Sequence, residues 1–514
     1  MPRSGKVRRV YDNDDAWIMA ETDTTLTPEL MSSNMIGPHE GSPVDGWLYS
    51  IGGHDVYDYE TDIGERTTEA YAERGTPKQR NRGRNLQHLI DEHGGVMEIM
   101  AEQCHRLGMD FLPSVRMNEH YDIDSDDPSY GKLRREHPEL TIGRGEKLPK
   151  LSMEWGVSEG LDYALPEVRD YMSSIVLETV ERWDVDGVEL DFFRHPTYFN
   201  IYEAYSNRYL MTDMLRKIRQ RMDEIGKERG KGLDLMVRVP ATIERCEHLG
   251  LDIRQWIDEY LVDVVVGGGG FVPMSRSIKE FVDLAKGAET LIYGCLEGYR
   301  PAVDELTLRA IAARYWDAGV DGLYMFNLYS MPQQWKQETL ARLMDRDSLK
   351  HMDKRYDTDD GTRFVPISHL HLTFLNAIPR AELPVTLQET NMGRGVTVKM
   401  DMPEDFTNAT ATIGVRLSKL GANDRIEVTV NGSPLSGGVR GDGWTRVFYE
   451  DGWNQYPSQT KVEELPGETI EYGGVGRTIF RSGGNEVDIR LASADPDRSE
   501  DLVLQQIRVE VKYG

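Results

Sequence analysis

The 514-residue chain is expected to be an α/β protein, a (β/α)8 TIM barrel followed by a smaller all-β sandwich or jelly roll. Three observations predict this. The length exceeds the roughly 250–300 residues at which one core stops growing, so a large and a small domain are expected. From residue 6 to 332, short apolar runs alternate with longer stretches of helical period, the pattern of repeated βα units. Beyond Met344 helical patterns thin out, and short alternating segments are separated by Gly, Asn and Asp turns.

Eight runs qualify as strands, the number that closes a barrel: Lys6–Asp14, Gly46–Ser50, Asp110–Met117, Gly187–Phe192, Leu233–Val239, Val262–Val266, Leu291–Leu296 and Gly322–Asn327. Helical segments lie between them. In Pro166–Trp183 the residues Val168, Met172, Ile175, Val176, Val180 and Trp183 recur at spacings of three and four, with proline where a first helical turn tolerates it. Met211–Ile225 repeats the pattern. Val185-Asp186-Gly187, Leu261-Val262-Asp263 and Val320-Asp321-Gly322 rhyme, and read as turns entering parallel strands, without a chemical role.

The barrel is assigned residues 1–350, a linker or barrel-edge segment 351–364, and the β-domain 365–514. Strand candidates in the last are Val396–Met400, Thr410–Leu417, Arg425–Val430, Asn485–Leu491 and Leu504–Val511. Trp444, Tyr449, Trp453 and Tyr456 belong either to the sandwich core or to a sugar-binding face.

Hydrophobic residues make up 39%, enough for a sizeable core. With 60 Lys+Arg against 87 Asp+Glu the net charge is −27, which repels phosphate backbones and anionic lipid, and no basic run interleaved with aromatics offsets it. Neither nucleic acid nor a membrane is an expected partner, and no apolar run approaches the ~20 residues of a bilayer span. The amino terminus lacks the apolar core of a signal peptide, so a cytoplasmic location is expected as the sequence stands, and a periplasmic or secreted one if a leader was removed. Cys104, Cys246 and Cys295 have no metal-ligand spacing and read as small buried residues.

Barrel enzymes place chemistry at the carboxyl ends of the strands. The fourth strand, Asp186-Gly187-Val188-Glu189-Leu190-Asp191-Phe192-Phe193-Arg194-His195-Pro196, is the most informative. Glu189 and Asp191 share its two-residue period, while Val188, Leu190 and Phe192 occupy the other face. The outer face packs on helices, so the carboxylates point inward. Two buried carboxylates are costly unless paired or functional, the structural alternative being a salt bridge to an Arg on a neighbouring strand.

Other strands also end in polar groups. Arg116, Asn118 and His120 share a parity after the third, and Arg238 lies at the inward period of the fifth. Asn13-Asp14-Asp15 ends the first, His54-Asp55 follows the second, Glu297 follows the seventh and Asn327 ends the eighth. Asp191 and Glu297 facing each other across the mouth, among Arg, His and Asn, suit glycosidic-bond cleavage: an acid protonates the leaving oxygen while an ionised carboxylate attacks the anomeric carbon or activates water. Their separation sets the outcome, about 5–5.5 Å for retention and about 6.5–9.5 Å for inversion.

The fourth-strand run, with Arg116-Met117-Asn118-Glu119-His120 and Asn13-Asp14-Asp15, resembles a large group of TIM-barrel glycosyl-hydrolase-like proteins over residues 6–345, and the trailing β-domain fits the group's layout. The resemblance implies glycoside hydrolase activity. In retaining barrels of related layout the acid/base follows strand four and the nucleophile strand seven, which places these roles on Asp191 and Glu297. Those enzymes usually carry Asn-Glu at the end of strand four; here Glu189 stands beside Asp191 as the alternative carboxylate.

The polar stretch Tyr121–Tyr163 reads as a lid or substrate wall, with Trp155 either stacking on a sugar or filling the loop's own core. Gly267–Gly270 lacks the Lys-Ser/Thr of a phosphate loop and reads as room at the mouth. Asn13, Asp14, Asp15 and Asp55 are hard oxygen ligands without diagnostic spacing, so no metal or other cofactor is expected. The expected partner is a carbohydrate substrate, with Asn13, Asp14, His54, Arg116, Asn118, His120, Trp155, Arg194, His195, Arg238 and Asn327 binding it. The basic residues gathered at the mouth of an acidic chain favour a sulfated or carboxylated glycan. The rival readings are a non-catalytic carbohydrate-binding barrel and a metal-dependent hydrolase or lyase.

Overall fold

The computed structural model describes residues 1–14, 22–53, 55–118, 126–149, 152, 154–268, 277–297, 304–327, 333–358, 382–387, 395–449, 460–476 and 478–514. Eight parallel strands close a barrel: β1 (Val10–Asp14), β2 (Val44–Ser50), β3 (Asp110–Arg116), β4 (Gly187–Asp191), β5 (Asp234–Val239), β6 (Val264–Gly267), β7 (Leu291–Glu297) and β8 (Gly322–Phe326). Each pairs with its sequence neighbours, and β1 pairs with both β2 and β8. All eight expected strands are present, with ends displaced by up to four residues.

The residues entering these strands act on the backbone. Asp186 accepts from the Phe111 N–H at 3.0 Å, Asp263 from that of Leu235 at 2.8 Å and Asp321 from that of Ile292 at 2.8 Å. The three rhyming turns therefore join the amino ends of adjacent strands, on the face opposite the mouth. Inside, Tyr11, Leu48, Leu112, Met236, Val264, Val266, Tyr293, Cys295, Tyr324 and Phe326 form a separate interior core. Gly46 and Gly322 leave room for the rings of Tyr11 and Tyr293, where any Cβ would collide. The interior is packed, and access from outside is confined to the ends.

Helices α1 (Pro77–His93), α2 (Val96–Arg106), α3 (Pro166–Arg182), α4 (Ala204–Arg229) and α5 (Glu305–Ala318) pack outside. Thr76 and Gln79 form a capping box at α1, and α3 begins at Pro166 as its pattern predicts. Helix α4 starts seven residues before the expected Met211 and stops at Gly230, which is left-handed with φ 70°. Among the described residues no helix is long and apolar enough to cross a membrane. The three cysteines are buried.

The remaining strands are β9 (Lys354–Asp357), β10 (Val385–Leu387), β11 (Val396–Met402), β12 (Ala409–Leu417), β13 (Arg425–Val430), β14 (Ser433–Pro434), β15 (Val439–Tyr449), β16 (Thr460–Val475), β17 (Gly483–Ser493) and β18 (Leu502–Tyr513). They form a sheet ordered β9-β18-β12-β16-β15, with β10 also on β18, and a second ordered β11-β17-β13-β14. Ile413, Val415, Ile507 and Val509 from the first sheet and Val428, Val487 and Ile489 from the second meet in one core. Residues 354–357, inside the stretch read as a linker or barrel edge, are thus an edge strand of the sandwich. Strands β15 and β16 escape the sequence pattern because Gly, Asp and Glu interrupt their alternation. Ala310 of α5 enters the sandwich core, and Arg355 of β9 pairs with Asp304 at the start of α5, joining sandwich to barrel.

Candidate active site at the barrel mouth

On β4 the pleat turns Glu189 and Asp191 into the barrel, where both are almost fully buried. Register sets Asp191 between Arg116 of β3 and Arg238 of β5, and Glu189 between Ser114 and Met236. Arg238 grips Asp191 with two parallel bonds, Nε to Oδ1 at 3.0 Å and Nη2 to Oδ2 at 2.7 Å. Oδ1 also accepts from the N–H groups of Phe193, at 2.9 Å, and Arg194, at 3.2 Å. The Arg238 guanidinium lies over the Phe326 ring, 4.1 Å from its centre.

One residue pair deeper, Glu189 Oε2 accepts from Asn13 Nδ2 at 2.7 Å and from Ser114 Oγ at 2.5 Å. The Tyr324 hydroxyl lies next to this carboxylate and helps to lower its pKa.

These surroundings split the two acids. Burial and the neighbouring Asp191 charge push Glu189 up to about 7, against the opposing pull of Arg238, Ser114 and Tyr324. Burial alone would also raise Asp191, but the Arg238 charge and hydrogen bonds, Arg116 and the Phe193 N–H outweigh it and hold the carboxyl below its usual range. At neutral pH Asp191 is ionised while Glu189 retains much of its proton.

The other expected site residues divide. Asn13 faces Glu189, whereas Asp14, of opposite parity, lies with Asp12 on the outer side of β1 near the buried Lys336. Asn118 is wholly engaged in structure: it donates to the carbonyls of Leu161 and Thr197 and accepts from the Leu161 N–H at 3.1 Å and Arg134 at 3.1 Å, clasping the long insertion to the loop after β4. Arg134 also pairs with Asp55 at 3.0 Å, which accounts for that carboxylate. His195 is fully buried, Arg194 and Trp155 are partly exposed, and Trp155 sits in a 3₁₀ turn of the insertion. Asn327 is buried, left-handed with φ 63°, and its N–H donates to the Asn13 carbonyl at 2.8 Å.

Glu297 ends β7, its backbone paired with Phe326, two residues after the inward-facing Cys295. Its side chain, and His54 and His120 entirely, lie outside the described residues. Among the described residues no group of three or more His, Cys, Asp or Glu is arranged to hold a metal ion. Ser114, Tyr324 and Phe326 were not singled out in the sequence. Their inward parity was legible there, but their proximity to Glu189 and Arg238 depends on inter-strand register.

Fold and site together define a (β/α)8 barrel carrying a split carboxylate pair at its mouth and an accessory β-sandwich. No protein-family profile matches the chain, and no curated protein matches its sequence. Solved structures similar to it include three glycoside hydrolases. One is a family 18 N-acetylglucosaminidase from Paenibacillus barengoltzii, with 12% identity, 65% of this chain and 99% of that one covered, and a TM-score of 0.38. The glycoside hydrolase domain of PgaB from Bordetella bronchiseptica has 11% identity, 67% and 100% covered, and a TM-score of 0.42. The endo-β-1,4-mannanase of Thermotoga petrophila has 9% identity, 90% and 98% covered, and a TM-score of 0.43. At such identities and scores the site has to be read from its own residues.

Proposed function

We propose that the protein is a glycoside hydrolase acting on an oligosaccharide or polysaccharide at the carboxyl-terminal mouth of its barrel. The observation that carries this reading is the unequal setting of two inward carboxylates on one strand. Asp191 is held by the Arg238 fork and two backbone N–H groups, whereas Glu189 is buried beside it and bonded to Asn13 and Ser114. Such a setting splits their protonation, as acid/base chemistry at neutral pH requires. In this reading Glu189 is the proton donor to the leaving oxygen. Asp191, fixed by Arg238, supplies the negative charge that keeps Glu189 protonated and faces the positive charge developing on the sugar ring. Glu297, at the end of β7, is the ionised carboxylate that attacks the anomeric carbon or activates water. The role of acid moves from Asp191 to Glu189 because a proton on Asp191 would break its pairing with Arg238. With Arg238 already neutralised by Asp191, it lends no support to an anionic substrate.

The test is turnover of a panel of aryl glycosides and polysaccharides by the wild type and by Glu189→Gln, Asp191→Asn and Glu297→Gln. Each substitution should lower kcat by 10²-fold or more, the range for loss of a positioned acid or base. Variants that keep more than a tenth of wild-type turnover would remove these assignments. The same Asp191–Arg238 pair favours a second reading, a non-catalytic carbohydrate-binding barrel in which the pair is purely structural. That reading requires glycan binding with no turnover by the wild type.

A further inference from the structure

A cleft opens on the polar face of the six-strand sheet of the sandwich, with a volume of about 360 Å³, the size of a small-ligand site. Its floor is Trp444 of β15. A register shift between Asp442 and Trp444, with Gly443 left-handed at φ 50°, lays the indole across the sheet above Gly414 of β12. The indole N–H donates to Glu471 at 2.8 Å, and the Arg508 guanidinium sits 4.4 Å from the ring centre. Thr412, Thr445 and Asp442 complete the polar rim.

We propose that this cleft binds an uncharged sugar residue of a glycan chain. The charges exclude an anion: Arg508 is neutralised by Asp357 at 2.8 Å, and Arg355 by Glu510 at 2.8 Å and by Asp304, while Glu471 and Asp442 add two further carboxylates. What the rim offers is a mixture of Arg N–H donors, carboxylate acceptors and threonine hydroxyls, above a buried indole whose face is covered by Arg508. That mixture matches a ring whose hydroxyls both donate and accept. The location suits a chain. Arg355, in the cleft wall, contacts Asp304, seven residues after Glu297, and seven residues span at most ~25 Å. A glycan held in the cleft thus reaches the mouth, which rests on the hydrolase reading above and identifies the sandwich as the element that retains the polymer.

The experiment uses the full chain carrying Glu297→Gln, so that nothing is consumed, and measures retardation in native gels containing glucomannan, hydroxyethyl cellulose or xylan. Polygalacturonate and chitosan serve as the anionic and cationic comparators. At least one uncharged polymer should retard the protein, and adding Asp442→Ala with Thr445→Ala should weaken that binding tenfold or more. The same pair in the otherwise wild-type chain should leave the thermal midpoint and turnover of a small aryl glycoside unchanged. Retardation by no uncharged polymer, retardation by a charged comparator alone, or retardation indifferent to the Asp442 and Thr445 changes overturns the proposal. Binding is read without turnover. Cleft-dependent retention with an inert wild-type barrel therefore defeats the hydrolase reading alone, and an active barrel with cleft-independent retention defeats the cleft alone.

Discussion

Replacing Glu189 with Gln should stabilise the barrel above neutral pH and leave it unchanged in acid. In the folded protein the carboxyl titrates near 7, against an ordinary value of 4.5. A carboxyl raised in the folded state contributes its stability in full below the unfolded value and loses it as pH rises through the folded one. Each pH unit between the two is worth about 1.4 kcal/mol, so ionising Glu189 at pH 8 costs the native state ~3 kcal/mol. Gln has the shape of the protonated form, and its carbonyl can still accept from Asn13 and Ser114. For a unit of roughly 350 residues, ~3 kcal/mol corresponds to about 4 °C in thermal midpoint. Calorimetry of wild type and variant in matched buffers from pH 4 to 9 should show no difference at the acid end and a Gln advantage of about that size at pH 8. Asp191 contributes with the opposite sign, its stability lost as pH falls, and at low pH only, so it cancels in the difference. A difference that does not vary with pH, or a Gln variant less stable at pH 8, would refute the assignment of a raised Glu189.

The other expectations concern neighbours of that carboxylate. Arg238→Met leaves a buried Asp191 without its bidentate partner and should cost about 3–5 kcal/mol in denaturant titrations, with part recovered in the Arg238→Met, Asp191→Asn double variant. The alkaline limb of the kcat/KM profile should fall near pH 7, where Glu189 gives up its proton; a plateau extending past pH 9 would exclude it as the acid. Asn118→Ala removes bonds to Leu161, Thr197 and Arg134, and should cost about 2–3 kcal/mol while opening residues 126–165 to limited proteolysis. Cleavage no faster than in the wild type would mean that the clasp does not hold the insertion.

Much of this architecture is written in local periodicity. Strand pleat has a period of two whatever surrounds it, so the inward direction of Glu189 and Asp191 follows from Val188, Leu190 and Phe192 packing outward. Helical period similarly marks α3, because its apolar stripe has only one core to face. The functions of polar residues at strand ends were less legible, since parity does not say which partner comes within reach. Asn118 shares parity with Arg116 but is occupied by the insertion's backbone, and Asp14 lies one residue from Asn13 yet faces the helices. Strands β15 and β16 were invisible for a related reason: pairing with neighbouring strands across a bulge, not alternating apolar residues, keeps them extended.

By itself the sequence determined the succession of eight βα units, the all-β second domain and the strand that carries the two inward carboxylates. All of these depend on residues close together in the chain. Which of the two carboxylates keeps its proton was decided only in three dimensions. Barrel register brings Arg238, 47 positions further along, onto Asp191, and leaves Glu189 one level deeper with Asn13 and Ser114. A charge interaction depends on distance through space and on the water excluded along the way, and neither is encoded in separation along the chain.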